Sequence, residues 1–123
     1  MKADSNLNNL PLAITLGDPA GIGPELAIRI MSDQKIPSSK RLVFIGNSWA
    51  LNETAMVMGV ELPPLNLIHR PEDSVIGFNF IEPKAVPKPK AFRLGEIQAA
   101  CGQSAMEAIE FGAKGCLAGH FSG

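Results

Sequence analysis

The stretch from Ala13 to Glu25, AITLGDPAGIGPE, constrains the fold of this chain more than any other. The run Leu12-Ala13-Ile14-Thr15-Leu16 is apolar but for Thr15 and stops at Gly17. A short apolar run closed by glycine is expected to form a strand buried on both faces, as in a parallel sheet. Pro24 then suits the first turn of a helix, because it has no N–H to leave unbonded there, and Glu25 beside it meets the positive end of the helix dipole. Leu26, Ala27, Ile30 and Met31 follow at helical spacing, and this helix is expected to end between Asp33 and Lys35. Strand, glycine-rich loop and helix in this order mark part of an α/β enzyme that binds small molecules.

The alternation continues downstream. Pro37-Ser38-Ser39 reads as a turn, and Arg41 to Ile45 as a second strand ending at Gly46. Asn47 or Ser48 is placed to cap a helix over Trp49 to Met58, where Leu51, Ala55 and Met58 recur three and four apart and Gly59 closes the last turn. Pro63-Pro64 leads into a third strand over Leu65 to Arg70. Strands and helices in strict alternation imply right-handed crossovers and a parallel sheet, so the expected fold is α/β, three-layered, with a mostly parallel sheet. The segment from Pro71 to Leu94 is the least regular: Phe78 to Ile81 suits one short strand, and PKAVPKPK suits an extended, solvated connector, since its prolines forbid a helix. From Gln98 to Leu117 the apolar residues Ala105, Met106, Ile109, Ala113, Cys116 and Leu117 return at helical spacing, making this the strongest helix despite Gly102, Gly112 and Gly115. AGHFSG follows where a strand is expected, so the organisation reads as a truncated sheet with an edge and a helix face left uncovered.

At 123 residues and 46% hydrophobic content, the chain holds enough apolar material for one packed domain and not two. The expected division is a flexible tail over 1–10 and an incomplete α/β domain over 11–123. A formal net charge of −1 gives no field that would draw the chain to nucleic acid or an anionic membrane, leaving small molecules or other copies of itself as partners. The first residues, MKADSNLNNLP, lack the apolar core of a signal peptide, and no apolar run approaches the ~18 residues of a membrane span, so a cytoplasmic location is expected. On one helix, Cys101 and Cys116 would stand about 22 Å apart at 1.5 Å per residue, too far to bridge, and are read as two reduced thiols.

Three glycines in GDPAGIGPE suit a loop whose backbone takes positive φ or meets something closely, and its N–H groups with the helix N-terminus offer a cradle. The loop is neither GxxxxGK[ST] nor GxGxxG, and the Asp18 carboxylate would repel a phosphate. A tight turn in which Asp18 bonds its own backbone remains open beside the ligand-facing reading. His69 and His120 read as solvated or capping residues, and GHFSG is not a nucleophile elbow.

ITLGDPAGIGPEL resembles the N-terminal signature of the 4-hydroxythreonine-4-phosphate dehydrogenases of pyridoxal phosphate biosynthesis, which are similar in fold to the isopropylmalate and isocitrate dehydrogenases with their shorter GDGIGPE loop. Leu94-Gly95, Gly102 and the helix to Leu117 resemble the stretch before that family's central strand, so the resemblance runs from Leu10 to Gly123, about the N-terminal third of a family chain. It implies an isopropylmalate dehydrogenase-like fold and an NAD- or NADP-dependent oxidation of a phosphorylated hydroxy-amino acid, followed by decarboxylation. A divalent metal (zinc, magnesium or cobalt) would act as Lewis acid, with homodimers as the working form. By resemblance to the GDGIGPE loop, Gly21, Ile22 and Gly23 would line the nicotinamide side of the cofactor cleft, and Asp18 would stabilise the loop or lie near the cofactor. By the same resemblance, the metal-holding histidines, and the family's TxPxxK and GHTE segments that engage substrate, are expected outside these 123 residues, with no catalytic residue among them, so this length alone is expected to be inactive. A dehydrogenase of a four-carbon sugar-acid phosphate (threonate or erythronate type), a non-catalytic nucleotide- or phosphate-binding module, and a scaffold acting through PKAVPKPK are the alternatives.

Overall fold

The computed structural model describes residues 9–33 and 39–123. Most of the expected tail, the turn at Pro37-Ser38 and an end of the first helix at Lys35 lie outside the described residues. Four parallel strands form one sheet: β1 (Leu12–Thr15), β2 (Arg41–Ile45), β3 (Asn66–Leu67) and β4 (Gly77–Ile81), in the spatial order β1-β2-β4-β3. Among the described residues, three α-helices of ten residues or more cover it: α1 (Gly23–Ser32), α2 (Ser48–Met58) and α3 (Ala99–Leu117). The fold is the expected three-layered α/β arrangement with a parallel sheet.

Alternation along β2 builds the layers, because successive side chains of a strand point to opposite faces. Leu42 and Phe44 face α1 and α2, joining Ala27, Ile28 and Met31 of α1 and Ala50, Leu51 and Ala55 of α2. Val43 and Ile45 face α3, with Ile81, Ala108 and Phe121. Phe44 is fully buried, and truncating it to Ala is expected to cost about 3–5 kcal/mol.

Several expectations need correction. β2, not β1, is the strand buried on both faces; β1 is exposed at Leu12 and Thr15, because it forms one side of the sheet. The third strand shrinks from Leu65–Arg70 to Asn66–Leu67, and β4, at the Phe78–Ile81 segment, takes the inner place between it and β2. Asn79 makes this possible. Its fully buried amide donates to the Leu42 carbonyl at 3.0 Å and the Val75 carbonyl at 2.8 Å, and accepts from the Val75 N–H at 2.9 Å and the Asn66 side chain at 3.0 Å. These bonds fold the short return between two parallel strands back on itself without the usual crossover helix.

The lysine-proline connector is extended but docked. Val86 is buried, its carbonyl accepts from the Trp49 indole N–H at 2.8 Å, and Phe92 packs edge-on against Trp49. Lys88 pairs with Glu53 and Lys84 with Glu107. Neither Asn47 nor Ser48 caps α2 through its side chain; Glu82, just past β4, accepts from the Ser48 N–H at 2.8 Å instead. Gly59 at φ 70° closes α2 in the left-handed conformation, as its position foretells.

On α3, the apolar residues that give the helix its periodicity turn away from the sheet: Met106, Ile109 and Leu117 are exposed. The buried side is made of small residues, Cys101, Ser104, Ala108, Gly112 and Gly115. Phe121 fills the space beside Gly115, where a Cβ would stand 2.5 Å from its ring. Beyond it, the Ser122 N–H donates to the Pro11 carbonyl at 3.0 Å and the Gly123 carbonyl accepts from the Ala13 N–H at 2.9 Å, so the last residues pair along the outer edge of β1. Both cysteines are free, Cys101 buried and Cys116 exposed. No helix of the described residues is long and apolar enough to cross a membrane.

Candidate functional site

In parallel α/β sheets, ligands gather outside the carboxyl ends of the strands, and the Gly17–Glu25 loop leaves β1 at that end. Its shape follows from local bonds. Gly17 takes φ 70°, which reverses the chain after Leu16. The Asp18 carboxylate accepts the Ala20 N–H at 2.8 Å, and the Asp18 carbonyl accepts the Gly21 N–H at 2.9 Å. Asp18 therefore ties the turn together, one of the two roles expected of it. Gly23 opens α1 pressed against the end of β1: a Cβ there would lie 1.8 Å from the Leu16 carbonyl oxygen. Pro24 is buried in the first turn, while Glu25 pairs with Arg29 at 3.1 Å one turn on. No side chain caps the N-terminus of α1.

The loop forms one wall of a cleft of about 470 Å³. Ala20, Gly21, Ile22 and Glu25 stand on one side, Thr54, Val57 and Met58 of α2 on another, and Leu94 and Gly95 close it from the connector. The Gly95 N–H donates to the Ala20 carbonyl at 2.7 Å, fastening connector to loop. Ile22 is 71% exposed, an apolar side chain presented by a rigid turn. Of the expected cofactor residues, Gly21 and Ile22 line this cleft; Asp18 and Gly23 are not among its lining residues and serve to shape the loop.

Behind the loop stands the first turn of α3. Burial pushes the Cys101 thiol up from its ordinary pKa, the Asp18 carboxylate pushes the same way, and a backbone hydrogen bond with Ala20 opposes them. One turn further, the Ser104 hydroxyl donates to the buried Asn47 side-chain oxygen at 2.6 Å. The Asn47 amide donates to Glu82 at 3.2 Å and the Lys84 carbonyl at 2.8 Å. The ends of β2 and β4, the connector and α3 are thus bonded into one rim, and nothing in the sequence places Asn47 in this network or Thr54 in the cleft wall.

His69 and His120 stay apart from the cleft lining, and the His120 N–H caps α3 by donating to the Gly115 carbonyl at 2.8 Å. Among the described residues, no three His, Cys, Asp or Glu side chains converge to hold a metal ion. The described residues therefore offer no such donor set for a divalent metal.

No protein-family profile matches the chain. Among curated proteins, it is 29% identical over 102 residues to a D-threonate 4-phosphate dehydrogenase from Pectobacterium atrosepticum, an alignment covering 80% of this chain and 31% of that protein. It is 39% identical over 56 residues to a 4-hydroxythreonine-4-phosphate dehydrogenase from Synechocystis, covering 46% of this chain and 16% of the other. Among solved structures, a 4-hydroxythreonine-4-phosphate dehydrogenase from Klebsiella pneumoniae superposes with a TM-score of 0.79 at 27% identity, over 91% of this chain and 34% of that one. The chain spans about a third of the length of these relatives.

Proposed function

We propose, from this kinship with the 4-hydroxythreonine-4-phosphate and D-threonate 4-phosphate dehydrogenases, that residues 11–123 contribute the cofactor-side wall of an oxidoreductase acting on a phosphorylated hydroxy acid. The observation that carries the reading is the loop itself: GDPAGIGPE is held rigid by Asp18 and Gly23 and presents Gly21 and Ile22 to the cleft. Ile22 supplies an apolar surface suited to one face of a nicotinamide ring, and the Gly21 backbone permits close approach. The substrate under this reading is 4-phosphohydroxy-threonine, oxidised with NAD or NADP and then decarboxylated on the way to pyridoxal phosphate, by a cytoplasmic dimeric enzyme. The D-threonate 4-phosphate dehydrogenase, 29% identical over 80% of this chain, supports a sugar-acid phosphate as the second reading of the same site. Under both readings, proton transfer and any metal chemistry belong to residues outside this length.

Titrating NAD into the isotopically labelled chain tests the cofactor reading. Amide shifts confined to Gly21, Ile22, Gly23 and Gly95, lost in Ile22→Asp, are the expected result. Unmoved amides at millimolar NAD and NADP overturn it. Formation of reduced cofactor from 4-phosphohydroxy-threonine by the 123-residue chain alone would overturn the placement of the chemistry elsewhere.

A further inference from the structure

A serine or threonine inside a helix can satisfy its hydroxyl by donating to the carbonyl four residues back. Ser32 on α1 does so, donating to the Ile28 carbonyl at 2.9 Å. Thr54 on α2 does not. It is only 3% exposed, and its Oγ1 has no hydrogen-bond partner. A buried hydroxyl without a partner costs the fold stability, so its presence calls for a use outside the folded chain. Ser74 Oγ is the other such atom among the described residues, but Ser74 is not among the residues that line the cleft, whereas Thr54 is.

The neighbours of Thr54 in the cleft define which ligand group suits it. Ile22 of the loop, Val57 and Met58 of α2 and Leu94 of the connector make apolar walls. Glu25 is the one charged residue of the lining, which holds no lysine, arginine or histidine. A phosphate or carboxylate placed there would leave water without gaining a cation, so the anionic parts of a ligand belong elsewhere. A flat ring without negative charge suits the walls, and about 470 Å³ is ample for one. The orphan hydroxyl adds one requirement, a hydrogen-bonding group on that ring. Nicotinamide meets each condition: its ring is flat and carries no negative charge, and its carboxamide offers a carbonyl oxygen that can accept the Thr54 proton.

We propose that the Thr54 hydroxyl is the anchor for the nicotinamide carboxamide in this cleft, donating to its carbonyl oxygen and so fixing how the ring lies against Ile22. The inference rests on the cofactor reading of the cleft and adds to it the residue that distinguishes a nicotinamide from a plain aromatic ring.

Titrating NAD into the labelled 123-residue chain gives a Kd for the parent and for each variant. Thr54→Val keeps the outline of the side chain and removes the hydroxyl. It should weaken NAD binding about three- to tenfold, the strength of one hydrogen bond, while the Ile22 and Gly95 amides still shift. Its urea midpoint should hold or rise, because a buried donor without a partner has gone. Thr54→Ser retains the hydroxyl and should keep most of the parent's affinity. Thionicotinamide adenine dinucleotide, whose sulfur accepts a hydrogen bond poorly, should bind the parent more weakly than NAD, and that gap should close in Thr54→Val. A purely structural role for Thr54 would leave the gap unchanged. Undiminished affinity in Thr54→Val, a loss in Thr54→Ser equal to that in Thr54→Val, or the same gap in both proteins overturns the role of Thr54 and leaves the cofactor reading standing. Failure of the parent to bind NAD overturns both.

Discussion

The Gly17–Glu25 loop and helix α3 both rely on missing side chains to bring elements close, but they do so against different neighbours. At Gly23 the obstacle to a Cβ is backbone: the Leu16 carbonyl oxygen, 1.8 Å away and fixed by the strand it ends. At Gly115 the obstacle is the Phe121 ring, and at Gly112 it is the Thr15 methyl at 3.4 Å, both of which belong to side chains. Backbone cannot step aside without undoing the sheet, whereas side chains can repack at moderate cost. The loop is therefore specified by its own sequence, and the packing of α3 by what lies across from it.

This difference meets its severest test at Gly23. Gly23→Ala should cost about 4 kcal/mol or more, or leave the chain unable to fold cooperatively, because relief requires moving the start of α1 away from β1. A thermal melt within a few degrees of the parent would show that the loop is looser than its geometry. Gly115→Ala should cost less, about 1–3 kcal/mol, since the Phe121 ring can rotate or withdraw. Pairing it with Phe121→Leu should recover part of the loss in a double-mutant cycle, and strict additivity would mean that the ring is not what Gly115 accommodates. Gly102 supplies the opposite sign within the same helix: an added Cβ meets nothing within 4 Å, so Gly102→Ala should stabilise by about 0.5–1 kcal/mol in urea unfolding at constant protein concentration.

The same contrast explains what could be read from the sequence. Gly17, Asp18, Gly23 and Pro24 announce a strand-to-helix turn because each acts on its own backbone, and Gly59 ends α2 for the same reason. β2 is legible because four of its five residues are buried and apolar. Hydrophobic spacing locates α3 to within a residue but cannot reveal that the sheet takes its small side, because Ala108, Gly112 and Gly115 contribute almost nothing to an apolar pattern. Asn79 is polar at the centre of a strand, and only partners 37 residues back at Leu42 and 13 back at Asn66 make it sensible there. Thr54, Leu94 and Gly95 enter the cleft wall through folding alone, and the docking of PKAVPKPK depends on Trp49, far away in sequence. Chemistry confined to a few consecutive residues was legible; surfaces assembled from distant ones were not.

Cys101 joins the two regions, and its titration gives the smallest expected effect. It sits in the first turn of α3, yet its pKa is raised above the ordinary thiol value by burial and then by the Asp18 carboxylate of the loop. A thiol whose folded pKa exceeds its unfolded value contributes stability that is fully present below the unfolded pKa. As pH rises from there through the folded pKa, the unfolded chain gains by ionising and that contribution is lost. Urea midpoints of the parent should therefore decline above about pH 8.5 more steeply than those of Cys101→Ala, with Asp18→Asn falling between the two because it removes only the second cause. Exposed Cys116, not buried Cys101, should be the thiol that reacts first with a disulfide reagent in the folded chain. Equal slopes for parent and Cys101→Ala would mean that the first turn of α3 does not seal the loop, and the rigidity assigned to Gly21 and Ile22 would then rest on Asp18 and Gly23 alone.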